Sequence, residues 1–252
     1  FTTSGDFTVR EVTISGTHWS NPESIQQMAA VNTGSNIWFV PSARVAQRVA
    51  RHPWVRSCRV EKVPPDSVSI VIQERQPVCG ILERRQGVLY GLDREGIVLP
   101  ALFSPHVQSG KGITPHRLKE ARRIPFVTGP SVSLVPGHEI EDPRYKKALD
   151  LLIQFLQLSP TFFDQLESVY IAEDGWMELF PVRQAKRILL SPELPETLPR
   201  QIVRVWDFIE REDMTVDYID ARFPKAGIAL QPKGLDAQRW YELCRRNNNT
   251  NT

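Results

Sequence analysis

The stretch 55–73 constrains the fold most, because Pro64-Pro65-Asp66 divides it into two runs that read as strands. Proline presets φ for a turn, and an aspartate side chain can close that turn on its own backbone. Beyond it, Val68, Ile70 and Ile72 alternate with Ser69, Val71 and Gln73, the period-two pattern of a strand with one buried face. Residues 55–63 and 67–73 are therefore expected to pair as a hairpin. The chain ahead of them completes a small unit. Residues 7–14 alternate Phe7, Val9, Val12 and Ile14 imperfectly with polar residues and stop at Gly16, which predicts a half-buried strand. Asn21-Pro22-Glu23 supplies an N-cap, a proline at the first helical position and an acid in the first turn, ahead of Ile25, Met28 and Ala29 at helical spacing. After Gly34 and the apolar Ile37-Trp38-Phe39-Val40, a second helix is expected over 42–52, with Val45 and Val49 on one face and Pro53 ending it. The predicted order is strand, helix, helix, strand, strand.

From Val78 onward the texture is rich in strands, with turn signals at Asp93-Arg94-Glu95-Gly96 and at Asp174-Gly175. Asp-Gly predicts a two-residue hairpin turn between 169–171 and 176–180. Two amphipathic helices interrupt the strands. One begins at Asp142-Pro143 and carries Tyr145, Leu149, Leu152, Ile153 and Leu156 on a stripe; the other, over 198–210, carries Leu198, Ile202, Val205, Trp206 and Ile209. Residues 103–124 read as a long exposed connection, and 235–246 as a last helical turn or two before a polar tail. The stretch 218–233 reads as two strands joined by a tight turn, the last of them over 227–231. Within it Asp220 and Arg222 stand two residues apart, the spacing that puts both on one face of a strand.

Composition narrows what such a fold can do. With 252 residues and 41% hydrophobic content the chain can build one large core or two ordinary ones. Its 31 basic and 29 acidic residues leave a formal charge of +2, far from the concentrated positive field that phosphate-backbone binding requires, so nucleic acid is not an expected partner. The basic run Arg117, Lys119, Arg122, Arg123 reads as a solvated face. Cys58, Cys79 and Cys244 match no zinc or redox spacing, and a hairpin turning at Pro64-Pro65-Asp66 sets Cys58 near Ile72, so three free thiols are expected. His18, His52, His106, His116 and His138 are scattered without metal-ligand spacing. Phosphate-loop, dinucleotide and serine-hydrolase motifs are absent, and acid pairs such as Glu139/Glu141 and Glu173/Asp174 fall in predicted turns or caps. The chain thus predicts no catalytic residue, cofactor or metal. It contains no apolar run of about eighteen residues, the length a membrane helix needs.

Taken in order, Phe7-Thr-Val-Arg-Glu-Val-Thr-Ile-Ser-Gly16, Asn36-Ile-Trp-Phe39, His52-Pro-Trp-Val55, Val60-Glu-Lys-Val-Pro-Pro65 and Ile72-Gln-Glu-Arg-Gln-Pro77 resemble successive landmarks of a POTRA domain. Followed by Tyr90-Gly-Leu-Asp-Arg-Glu-Gly96 and closed by Asp220-Ala-Arg-Phe223, they resemble the bacterial cell-division family FtsQ, called DivIB in some bacteria. The resemblance implies an α+β chain: a POTRA domain (β-α-α-β-β) over 1–77, a mixed and mainly antiparallel β domain with two or three helices over 78–233, and a C-terminal tail over 234–252. It implies a non-enzymatic divisome scaffold, bitopic in the inner membrane, with its single membrane helix ahead of Phe1 and this chain on the periplasmic side at the division septum. The partners implied are FtsB and FtsL and other divisome proteins such as FtsW and FtsI, whose septal peptidoglycan synthesis the family helps regulate. Carried over by position, FtsB adds a strand to the last edge of the sheet, a mode in which backbone hydrogen bonds supply affinity. Ile228, Ala229, Leu230 and Gln231 would present that edge, Gly227 would open it, Pro232 would end it, Arg222 would pair with an acid of the partner, and Phe223 would be the aromatic beside it. Two readings compete. A POTRA module of outer-membrane protein assembly or secretion predicts tandem repeats and a barrel; an unrecognised cell-wall enzyme predicts clustered, perturbed acids or a nucleophile in a pocket.

Overall fold

The computed structural model describes residues 7–105, 123–183, 185–223 and 228–232. Three strands, β1 (Glu11–Ser15), β2 (Val55–Val63) and β3 (Ser67–Glu74), form a first sheet in the order β1-β3-β2, with β1 parallel and β2 antiparallel to β3. Helices α1 (Pro22–Ala29) and α2 (Ser42–Val49) connect β1 to β2 and bury Ile25, Ala29, Val45 and Val49 against Val68, Ile70 and Ile72. This is the POTRA order, and its hairpin register sets Cys58 opposite Ile72. Asn21 caps α1 through its side chain, which accepts from the Glu23 N–H.

Two element bounds differ from expectation. The first strand begins at Glu11 because residues 8 and 9 turn to the loop after α1: the Val9 N–H donates to the Ser35 carbonyl, and Gly34 donates back to that of Val9. The second helix stops at Val49, and the backbone beyond tightens into three-residue bonds from Arg51 to Arg48 and from His52 to Val49. Gly16 ends β1 at φ +85°, where an added Cβ would lie 2.0 Å from the Ile72 carbonyl oxygen.

The second part forms a nine-stranded sheet from β4 (Pro77–Glu83), β5 (Val88–Asp93), β6 (Val98–Phe103), β7 (Phe126–Thr128), β8 (Leu166–Ile171), β9 (Met177–Pro181), β10 (Ala185–Leu190), β11 (Val216–Ala221) and β12 (Ala229–Pro232). Its order is β12-β11-β10-β9-β8-β7-β4-β5-β6. The neighbours are mainly antiparallel; β10 with β11, β8 with β7, and β7 with β4 are parallel. Helices α3 (Pro143–Leu158), α4 (Pro160–Phe163) and α5 (Leu198–Arg211) contribute to its core, where the Phe162 ring meets Phe155 at 4.9 Å and Trp206 at 5.0 Å edge to face. The short α4, capped by Ser159, carries no periodic signal. The buried residues of α3 are Tyr145, Ala148, Leu149, Leu151, Leu152 and Phe155, and Ile153 and Leu156 fall to its half-covered margin. The β8–β9 connection is longer than two residues. Ala172 bonds the Trp176 carbonyl and Gly175, at φ +88°, bonds back to Ala172, the three-residue loop in which a left-handed residue follows a turn.

The two sheets meet through Glu74-Arg75-Gln76-Pro77. Glu74 is 7% exposed; its Oε2 accepts the N–H groups of His18 (2.9 Å) and Trp19 (2.6 Å), and its Oε1 those of the Ser20 backbone (2.7 Å) and hydroxyl. That loop holds Trp19 stacked on Trp54 at 5.2 Å, and the pair packs on Leu99 and Leu102 of β6. Arg75 then reaches forward to Asp93 and Glu95, both at 2.6 Å, while Arg56 binds Glu95 from β2. The run Arg117, Lys119, Arg122, together with Gly227, Cys244 and the helical turns expected over 235–246, lies outside the described residues.

Candidate functional site

The end of the large sheet is built from long-range placement. Strand β11 runs parallel to β10, and α5 is the crossover that parallel pairing requires. Strand β12 then turns back antiparallel, setting Ala229 opposite Asp220, Leu230 opposite Ile219 and Gln231 opposite Tyr218. Ile228 and Leu230 pack on the core, whereas Ala229 and Gln231 are exposed. Among the described residues no strand pairs with the outer side of β12, so its backbone groups on that side face outward as an edge.

Arg222 sits just past the end of β11 and returns to it. Its Nε donates to Asp220 Oδ1 at 2.8 Å, its Nη2 to Oδ2 at 2.6 Å, and its backbone N–H to Oδ1 at 3.1 Å. Asp220 is the more covered partner, with 14% of its side chain exposed against 38% for Arg222. The guanidinium hydrogen bond holds the Asp220 carboxyl below its ordinary range, and Asp220 in turn raises the pKa of Arg222. The same guanidinium lies 6.0 Å from the Trp176 ring and 5.7 Å from that of Phe223, which is 61% exposed. Two ring faces and one carboxylate therefore fix the plane of Arg222. Among the described residues its Nη1 makes no hydrogen bond, which leaves one corner of the fork for a ligand.

The residues expected at the edge are thus brought together: Arg222, Phe223, Ile228, Ala229, Leu230 and Gln231 occupy one end of the sheet. Sequence reasoning missed Trp176. Its position directly after Asp174-Gly175, at the base of a hairpin, was the available signal, but the order of β9, β10 and β11 is what carries it to Arg222. A groove of about 900 Å³ lies in the other half of the sheet, lined chiefly by Leu82, Leu89, Phe103, Ile124 and Phe126. Among the described residues no group of three or more His, Cys, Asp or Glu side chains is placed to hold a metal, and no helix is long and apolar enough to cross a membrane.

Comparison with known proteins gives a consistent result. Residues 7–75 match the family model described as "POTRA domain, FtsQ-type". The cell division protein FtsQ of Rhodothermus marinus is 26% identical over 218 residues, which cover 84% of this chain and 73% of that protein. FtsQ of Myxococcus fulvus is 28% identical over 172 residues, 66% of this chain and 53% of that protein. FtsQ of Chloroflexus aurantiacus is 32% identical over 149 residues, 53% of each. The matched part thus spans from about half to about three quarters of these relatives.

Proposed function

We propose, for a chain that belongs to the FtsQ/DivIB family of cell-division proteins, that it is the extracytoplasmic part of a non-enzymatic scaffold of the divisome. It binds FtsB, together with FtsL, by accepting a strand on the outer side of β12, and through them it helps regulate septal peptidoglycan synthesis by FtsW and FtsI. The reading places the protein in the inner membrane at the septum, anchored by a single helix ahead of Phe1. It divides the chain into a POTRA domain over 1–77, a β domain over 78–233 and a tail over 234–252.

The observation that carries the reading is the combination at one sheet end: a strand whose outer side is unpaired among the described residues, beside an arginine whose plane is already fixed. Backbone groups supply affinity without reading sequence, and one fixed guanidinium corner supplies discrimination for an acidic residue. Asp220 does not compete for that corner, because it takes the Nε and Nη2 side of the fork. The sheet also has two distinct ends, β12 and β6, which favours this reading over a closed barrel of the outer-membrane assembly type.

The test is binding of the purified chain to the periplasmic part of its own FtsB, comparing wild type with Arg222→Ala and Gly227→Pro. Loss of binding in the proline variant and weakening in the alanine variant, with circular dichroism unchanged, supports strand addition at β12. Equal binding by all three moves the partner to another surface. Recovery of the native gene product in the membrane fraction tests the anchor separately.

A further inference from the structure

The POTRA sheet has a feature that the β12 reading does not use. Residues 7, 36–39 and 62–66 converge at one end of it: Thr8 bridges Asn36, the Phe7 and Trp38 rings lie 6.0 Å apart, and the Asp66 carbonyl accepts the N–H groups of Arg10 and Glu11. At that end Phe39 is 75% exposed, Trp38 48% and Val63 47%. The turn that presents them is held at three points. Ile37 is fully buried in the core, the Asn36 side chain accepts from the Trp38 N–H at 3.0 Å, and Lys62 Nζ donates to the Trp38 carbonyl at 2.7 Å. A fold that fixes a turn this firmly while leaving its two aromatic side chains in water presents a built surface.

We infer that this end contacts a lipid bilayer, with Trp38 and Phe39 entering the headgroup layer of an anionic membrane. Three observations choose lipid over a protein partner. The shape is convex: a phenylalanine three-quarters exposed stands proud of its surroundings, and it wedges between headgroups without needing a matching cavity. The charges allow it: in the segments that flank the turn in sequence, Arg10 pairs with Asp66 and Arg59 with Glu61, which leaves Arg44 and Lys62 against Glu11, a small positive excess. Tryptophan beside cations is the composition of a membrane interface, where the ring sits at headgroup depth and the cations meet phosphates. Finally, the chain enters the domain here, since Phe7 packs on Trp38. The inference rests on the anchored reading above, because a membrane helix preceding Phe7 would tether this end, and not the β12 end, to the bilayer.

The experiment uses the full chain with an N-terminal hexahistidine tag, held on vesicles of phosphatidylglycerol and phosphatidylcholine that carry a nickel-chelating lipid. The tag replaces the natural anchor, so the result is independent of whether that anchor exists; membrane fractionation of the native product decides the latter. Tryptophan emission is compared between brominated and unbrominated acyl chains. The expected result is a quenched component that Trp38→Phe abolishes, that Phe39→Ser reduces about two-fold, and that weakens when phosphatidylglycerol is omitted. Both side chains are exposed, and unchanged circular dichroism confirms that the variants fold. Absence of quenching, or equal quenching in wild type and Trp38→Phe, overturns the inference and leaves a protein partner as the ligand of this turn.

Discussion

Replacing Glu74 by Gln exchanges one oxygen for an NH2 group and removes a charge, yet the structure assigns it a large effect. The carboxylate is an acceptor for four donors, two on each oxygen. A glutamine can turn its oxygen to the Ser20 backbone and hydroxyl, but its nitrogen then faces the His18 and Trp19 N–H groups at the positions now 2.9 and 2.6 Å from Oε2. Donor meets donor, and two hydrogen bonds to a charged acceptor are lost. Such bonds contribute roughly 1.5–3 kcal/mol each. Because they share one carboxylate and the loop can relax, the losses are not additive, and we expect about 3 kcal/mol. For a folding unit of roughly 150–250 residues that lowers Tm by about 6–12 °C. The near-ultraviolet dichroism should fall as well, since the same loop carries Trp19 onto Trp54. Thermal unfolding followed in both the far and near ultraviolet measures this. A Tm within about 2 °C of wild type, with the aromatic signal intact, would refute the claim that Glu74 organises the junction.

Other perturbations follow from the same geometry. The Asp220 carboxyl should titrate below its reference value of 3.8, because Arg222 favours the charged form. A lowered pKa contributes stability that is fully present above the unfolded value and lost as pH falls through the folded one, so the pair's contribution should be present and constant between pH 7 and 5 and fade below about pH 4. Carboxyl chemical-shift titration checks this, with Arg222→Ala returning the midpoint toward 3.8. Burial pushes the Cys79 thiol up to about 12, so alkylation at pH 8 should leave it unmodified in the native chain and label it only on unfolding, as mass spectrometry would report. Gly175→Ala should cost about 1–2 kcal/mol in urea unfolding, because φ is +88° while the nearest Pro192 atom is at an ordinary 3.5 Å; strain, not crowding, is the cause.

The parts legible in the sequence are those governed by neighbours in the chain. The β2–β3 hairpin was legible because alternation and a turn specify both strands, Cys58 being expected near Ile72 and standing opposite it, and α1 because Asn21, Pro22 and Glu23 mark its start. The last strand was legible in part: it was expected over 227–231 and ended by Pro232, whereas β12 runs over Ala229–Pro232 and Pro232 itself stands opposite Val216. What escaped depends on contacts between distant segments. Strand β7 has three residues and owes its existence to parallel neighbours distant in the chain, for Phe126 pairs with Gly80 of β4 on one side and with Ser168 of β8 on the other. Trp176, beside β9, joins Arg222, beside β11, across the one intervening strand β10, and no local pattern encodes that approach. Glu74 and Arg75 were visible as a phrase, Glu-Arg-x-Pro, but their roles as acceptor for a distant loop and clasp to the next sheet came only from the fold.

The place of β12 in the order of synthesis has its own consequence. It is the last described strand, it pairs with β11, and β11 can pair with β10 only after α5 has been made. A growing chain acquires the residues of the POTRA sheet and of every other described strand before it acquires the edge. A product truncated before Ala229 would keep the former and lack the latter, so a partner that adds a strand to β12, as proposed above, would accept molecules made past that point and pass over shorter ones. The proposed recognition at β12 would therefore register that the chain has been made at least through Pro232 as well as which chain it is.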